Sequence, residues 1–137
     1  MPGVYRFDFK KLEVYQSAFQ HYRWCLGVAK RIPWDQQIVR RQMLSAALSQ
    51  MLNIGEAGGR NTPGDSEKHL RYARGSVYES AAVLDALRAM ATIADEEYDR
   101  QEELLARIGA MLSAMIRKKA GQRNRARARS RSPSPSR

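Results

Sequence analysis

The segment Leu44-Ser45-Ala46-Ala47-Leu48-Ser49-Gln50-Met51-Leu52-Asn53-Ile54-Gly55-Glu56-Ala57-Gly58-Gly59-Arg60-Asn61-Thr62-Pro63-Gly64 sets Leu44, Ala47, Met51, Ile54 and Gly58 on one face, then breaks on its last four residues. Steps of three and four are the period of an amphipathic helix, whereas a half-buried strand would alternate every second residue. Asparagine, threonine, proline and glycine in succession mark a loop. The segment therefore predicts a helix over residues 35–60 closed by a turn.

Working outward, residues 8–31 repeat the pattern with Leu12, Tyr15, Phe19, Tyr22, Leu26 and Ala29 as the expected seam. Pro33 ends that helix, because proline disfavours helical backbone at the residue before it. A third helix is expected over residues 65–93, with Asp65 or Ser66 as N-cap. Its inward stripe is Leu70, Ala73, Val77, Leu84, Leu87 and Ala91, with Ser80 as a polar interruption. A fourth spans residues 95–119 and begins with Asp95 as cap and Glu96 and Glu97 in the first turn, where negative charge suits the helix dipole. Leu105, Ile108, Leu112 and Met115 face inward, and Leu104, Met111 and Ile116 broaden that face. Short connections and broad stripes predict an all-α fold, an antiparallel up-down four-helix bundle over residues 1–119.

Charge divides the chain unevenly. The formal net charge is +10, yet residues 117–137 hold nine Lys/Arg and no acid, while residues 1–116 hold the other fifteen basic groups against all fourteen acids. The field belongs to the tail and points to a polyanion. Residues 120–137 contain no large apolar side chain, alternate arginine with alanine or serine, and finish in Ser-Pro pairs. Such a segment buries too little surface to offset its ordering entropy and is expected to be disordered. With Arg123, Arg125, Arg127, Arg129 and Arg131 on every second residue, an extended tail would fan guanidinium groups to both sides along a phosphate backbone. The N-terminus has no apolar signal core, no run approaches a membrane span, and Cys25 is the single cysteine. These features predict a cytoplasmic protein with no membrane partner.

Asn53-Ile54-Gly55-Glu56-Ala57-Gly58-Gly59-Arg60 resembles the N-I-A-E-G-x-G-R segment of the bacterial four-helix-bundle proteins of the 23S rRNA intervening-sequence family. Phe9-Lys10-Lys11-Leu12-Glu13-Val14-Tyr15 is similar to that family's opening F-x-x-L-x-V-W/Y, and Ala73-Arg74-Gly75-Ser76-Val77-Tyr78-Glu79 to its A-x-G-S-L-x-E. The three motifs fall in order on three successive expected helices and extend the resemblance over residues 9–116. It implies a homopentameric ring of four-helix bundles. The superfamily includes the accessory variability protein of diversity-generating retroelements, which binds nucleic acid and a reverse transcriptase. Ala57 stands where that pattern has glycine and Gly55 where it has alanine, and the Arg/Ser tail lies outside the pattern.

Candidate nucleic-acid contacts follow from the charge. Arg71, Arg74 and Tyr78 fall at i, i+3 and i+7 with Lys68 before them, and Arg40 and Arg41 open the second helix. Guanidinium groups would meet phosphate, with Tyr78 or Tyr72 stacking on bases. Arg117, Lys118 and Lys119 lead into the five tail arginines, a set suited to steeply salt-dependent, sequence-tolerant binding of RNA or single-stranded or hybrid nucleic acid. The competing reading of the α-helical face is a solvated surface or intersubunit ion pairs with acids of the fourth helix. Gly55, Gly58, Gly59, Gly75 and Gly27 are expected to permit close helix or subunit packing, and Glu56 with Arg60 to form a structural i,i+4 pair. His21 and His69 lack metal-ligand spacing, Cys25 suits a buried apolar site, and no nucleotide loop or catalytic triad is present. The expectation is a non-enzymatic oligomer without metal or cofactor. The alternative is a protein-docking scaffold with no nucleic-acid role.

Overall fold

The computed structural model describes residues 4–131. Four α-helices are present: α1 Glu13–Ala29, α2 Gln37–Gly58, α3 Pro63–Ala89 and α4 Asp95–Arg131. Short 3-10 turns, Asp8–Lys11 and Trp34–Gln36, precede α1 and α2. Contacts join α1 to α2, α2 to α3, α3 to α4 and α4 back to α1; among the described residues no contact joins the diagonal pairs. That cyclic pattern is the up-down four-helix bundle, and among the described residues there is no strand.

Local chemistry sets the boundaries. The α3 cap is Thr62, not Asp65 or Ser66: its side chain accepts the Asp65 N–H at 3.2 Å, and Pro63 follows as the first helical residue, where a missing N–H costs nothing. At the α3 C-terminus Ala91 adopts φ 56°, and the Thr92 N–H reaches the Leu87 carbonyl at 3.0 Å. This is a left-handed cap of the Schellman kind, costing roughly 1 kcal/mol at a non-glycine residue. Ala91 is thus an exposed cap residue rather than part of the inward stripe. Ala94 precedes α4, and the Glu97 carboxylate accepts its N–H at 3.2 Å, so the capping acid is Glu97 rather than Asp95.

The core departs from the expected seam most on α1. Buried there are Val14, Ala18, His21, Cys25, Val28 and Ala29. Tyr15, Phe19 and Tyr22 are half-buried, and Leu12 and Leu26 lie open at 39% and 43%. The small side chains let α1 approach its neighbours, while the aromatic row lies on the flank. On α2 the centre is Met43, Ala46, Ala47, Gln50, Ile54 and Ala57, with Leu44 and Met51 beside it and Gly58 exposed. The α3 expectation holds for Leu70, Ala73, Val77, Leu84 and Leu87, and Ser80 is buried among them. On α4, Leu104, Leu105, Ile108, Leu112 and Ile116 are buried and Met115 is half-buried.

Two buried polar pairs join neighbouring helices. His21 Nδ1–H donates to Gln101 Oε1 at 2.9 Å, leaving Nε2 to accept from the Cys25 thiol at 3.4 Å. Burial lowers the His21 pKa below its ordinary value and raises that of Cys25 to about 12, so both are neutral at physiological pH. Gln50 donates to the Ser80 hydroxyl at 2.8 Å, which explains why serine is tolerated in the α3 stripe.

The largest correction concerns residues 120–131. They were expected to be disordered, and they continue α4 without a break. Arginine and alanine are both strong helix formers, and joining an existing helix avoids the nucleation penalty that a separate short segment would meet. The Ser-Pro residues expected to be disordered, 132–137, lie outside the described residues.

Candidate nucleic-acid interface

Antiparallel packing brings the start of α3, the end of α2 and the end of α4 to one pole of the bundle. Arg71 of α3 and Arg123 of α4 consequently meet at one carboxylate. The link is Glu67, buried to 4% side-chain exposure. Its Oε2 accepts from Arg71 Nε at 2.9 Å, and its Oε1 lies 2.7 Å from Arg123 Nη1. One buried carboxylate thus holds two arginines, one on each helix. The Arg123 stem also passes over Gly64, with its Cδ 3.8 Å from where a Cβ would stand. Residues 124–131 beyond this clamp are exposed.

Sequence reasoning missed Glu67, although a signal was available. Glu67 and Arg71 are an i,i+4 acid–base pair of the same kind as Glu56 and Arg60, which pair at 2.7 Å as expected.

Arg74 donates from Nη1 to the Ser113 hydroxyl at 3.3 Å, tying the middle of the α3 face to α4. Tyr78, one turn further, is 70% exposed. It rims an open groove of about 470 Å³ floored by small residues, Ala81, Ala106, Gly109 and Ala110. Lys68 leans the other way, over the Tyr72 ring at 5.9 Å. Tyr72 in turn meets His69 edge-on at 5.7 Å, and His69 hydrogen-bonds Asn53 of α2 at 3.3 Å. The basic face therefore has an exposed aromatic on each flank.

Arg40 and Arg41 do not join this surface. They lie in the opening turns of α2, about 25 Å along the axis from its C-terminal glycines. Arg40 donates to Gln37 there at 3.4 Å. Nor, among the described residues, do the helix-four acids form ion pairs with this face. Arg31 grips Glu97 through two hydrogen bonds, 3.0 and 2.7 Å, and Arg88 pairs with Asp95 at 3.1 Å. The Arg31 guanidinium, with help from the Ala94 N–H, holds the Glu97 carboxyl down at about 2.

The glycines divide into two kinds. Gly58 and Gly55 receive Phe9 of the N-terminal turn: a Cβ would stand 3.1 Å from the Phe9 Cβ at Gly58 and 3.4 Å from the ring at Gly55. Phe9 also packs edge-on against Tyr15 at 5.0 Å, so the glycine-rich end of α2 is the seat of the leading segment. At Gly75 and Gly27, by contrast, nothing lies within 4 Å, and Gly59 meets only backbone of its own helix. Among the described residues no other element of the chain approaches the Cβ positions of those three. Gly75 leaves bare backbone on the exposed side of α3 between Arg71 and Tyr78.

Among the described residues no cluster of three His, Cys, Asp or Glu is placed to hold a metal ion, and no helix is long and apolar enough to cross a membrane.

The fold has a solved counterpart in a protein of unknown function from the S23 ribosomal protein family of Bacteroides thetaiotaomicron, with a TM-score of 0.70. The two are 21% identical, the match covering 76% of this chain and 95% of that one, so the likeness is one of fold. No curated protein matches this sequence. The profile of the 23S rRNA-intervening sequence protein family matches residues 10–114, spanning the second and third motifs, the first from Lys10 onward, and most of the bundle. This chain belongs to that family.

Proposed function

We propose that the protein is a non-enzymatic, homo-oligomeric nucleic-acid-binding accessory protein of the cytoplasm. The observation that carries this reading is the basic pole. Eight Lys/Arg lie between residues 117 and 131 without an acid, and among the described residues only Arg123 of these is engaged in an ion pair. Lys68, Arg71 and Arg74 of α3 add to them, with Tyr72 and Tyr78 exposed for stacking. The family name, which refers to 23S rRNA, is consistent with a role close to nucleic acid.

Assembly as a homopentameric ring, and partnership with a reverse transcriptase, extend the proposal on the strength of the family resemblance. Oligomerisation has physical support in the apolar side chains left open on α1 and α2, namely Leu12, Leu26, Ile38, Leu48 and Leu52. A ring would repeat the basic pole in every subunit and raise avidity without new contacts.

The test pairs light scattering with binding of RNA and DNA oligonucleotides across salt. About four phosphate contacts per chain would lower affinity about 100-fold between 50 and 200 mM salt. Deleting residues 120–137 should abolish most binding. Absence of binding at low salt refutes the function, and a monomer at micromolar concentration refutes the assembly. Binding that survives the deletion transfers the role to the Lys68, Arg71 and Arg74 face.

A further inference from the structure

The arm beyond Arg123 is a helix, and this changes which nucleic acid it fits. Two residues turn an α-helix by about 200°, so arginines on every second position form two opposed rows. Arg127 and Arg131 run along one side, in line with the clamped Arg123, and Arg125 and Arg129 continue the Lys118 row on the other. Within each row the spacing is about 6 Å along the axis. Between the rows stand only Asn124, Ala126, Ala128 and Ser130, so the helix is slim between its arginines. Residues 124–131 are exposed throughout and extend about 12 Å past the Glu67 clamp.

Resting on the nucleic-acid reading above, we propose that this arm enters the major groove of duplex DNA as a preformed helix, one arginine row against each phosphate backbone. A cation-bearing helix with two opposed rows requires anions on both sides, which a groove supplies and a single strand does not. The B-form major groove is about 12 Å wide and admits an α-helix of about 10–12 Å diameter. The A-form RNA major groove is deep and narrow and excludes it. Single-strand binding uses aromatic platforms beside the cations, and residues 117–131 contain no aromatic. Contacts from arginine to phosphate carry no base preference, so the arm grips duplexes without regard to sequence.

The experiment compares fluorescence anisotropy of the full-length protein with a short DNA duplex, its separate single strand and the same sequence as duplex RNA, at low salt. The DNA duplex should bind about tenfold more tightly than either alternative. Ala126→Pro keeps every charge but breaks the arm helix beyond the Glu67 clamp, and should reduce that preference by about tenfold. Ala126→Gln, which preserves helix, should retain it. Equal affinity for single strands or duplex RNA, or a proline variant that binds like wild type, overturns groove entry while leaving the nucleic-acid function intact. If none of the three probes binds, the nucleic-acid function and the groove inference fall together.

Discussion

At its N-terminal end α4 places Asp95, Glu96, Glu97, Asp99, Glu102 and Glu103 in little more than two turns; at its C-terminal end it places eight Lys/Arg between residues 117 and 131. Both arrangements suit the helix dipole, but the tertiary structure treats them differently. Three acid-end side chains are engaged: Glu97 by Arg31, Asp95 by Arg88, and Tyr98 by hydrogen bonding to Asp85 at 2.6 Å. Among the described residues the basic end has one ion-pair partner, Glu67. At the first pole Glu97 and Asp95 tie α4 to Arg31 and Arg88, whereas at the second the cations beyond Arg123 are exposed. Net charge alone does not distinguish these roles, because the distinction lies in where the partners are.

The contrast is broken most severely by removing the free cations. Replacing Arg125, Arg127, Arg129 and Arg131 together with alanine should lower nucleic-acid affinity about 100-fold at moderate salt. The melting midpoint should stay within a degree or two, since exposed substitutions away from packing change stability by only about 0.5 kcal/mol. A large drop in the midpoint would mean that the arm contributes to the fold.

Glu67→Gln attacks the carboxylate that joins the basic end of α4 to α3. It leaves Arg71 and Arg123 without their carboxylate and should cost about 1–2 kcal/mol, less than a fully buried pair because both arginines reach solvent. Urea denaturation measures this, and an unchanged midpoint would remove the clamp from the account.

Acidification should weaken the opposite pole in two stages. His21 is held neutral in the fold, whereas the unfolded chain takes up a proton near the ordinary value of 6.5, so stability falls as pH drops below that value. Glu97, held at about 2 in the fold, stabilises above its ordinary 4.5 and loses that contribution as pH falls from there toward 2. The His21→Gln variant should flatten the first stage only. A thermal midpoint constant from pH 7 to pH 5 in the wild type would contradict burial of a neutral His21.

Gly75→Ala is the gentlest probe. No atom lies within 4 Å of the added Cβ, so the subunit itself should gain up to about 1 kcal/mol from improved helix propensity. If this bare stretch of α3 is a subunit contact, light scattering will show loss of assembly despite the gain.

Much of the fold was legible because its punctuation is local. Pro33, the Asn61-Thr62-Pro63-Gly64 loop and the acidic opening of α4 mark helix boundaries that the structure keeps to within a few residues, apart from the ends of α1 and α4. The inward face of α1 was misread because apolarity draws attention to Tyr15, Phe19, Tyr22 and Leu26. Close helix approach selects the smaller Val14, Ala18, Cys25 and Val28, and it accepts His21 because Gln101 on another helix satisfies it. Arg71 and Arg123 were legible as cations, but their shared carboxylate was not, since Glu67 and Arg123 are far apart in the chain.

By itself the sequence determined the helical periodicity, the breakers, the family motifs and the segregation of positive charge, all properties of neighbouring residues. Tertiary structure alone decided which stripes face inward, that Arg40 and Arg41 lie far from the basic pole, and that residues 120–131 extend α4. The physical reason is that a polar segment has no apolar stripe to announce a helix. Its order comes from continuity with a packed helix and from one buried acid supplied by α3.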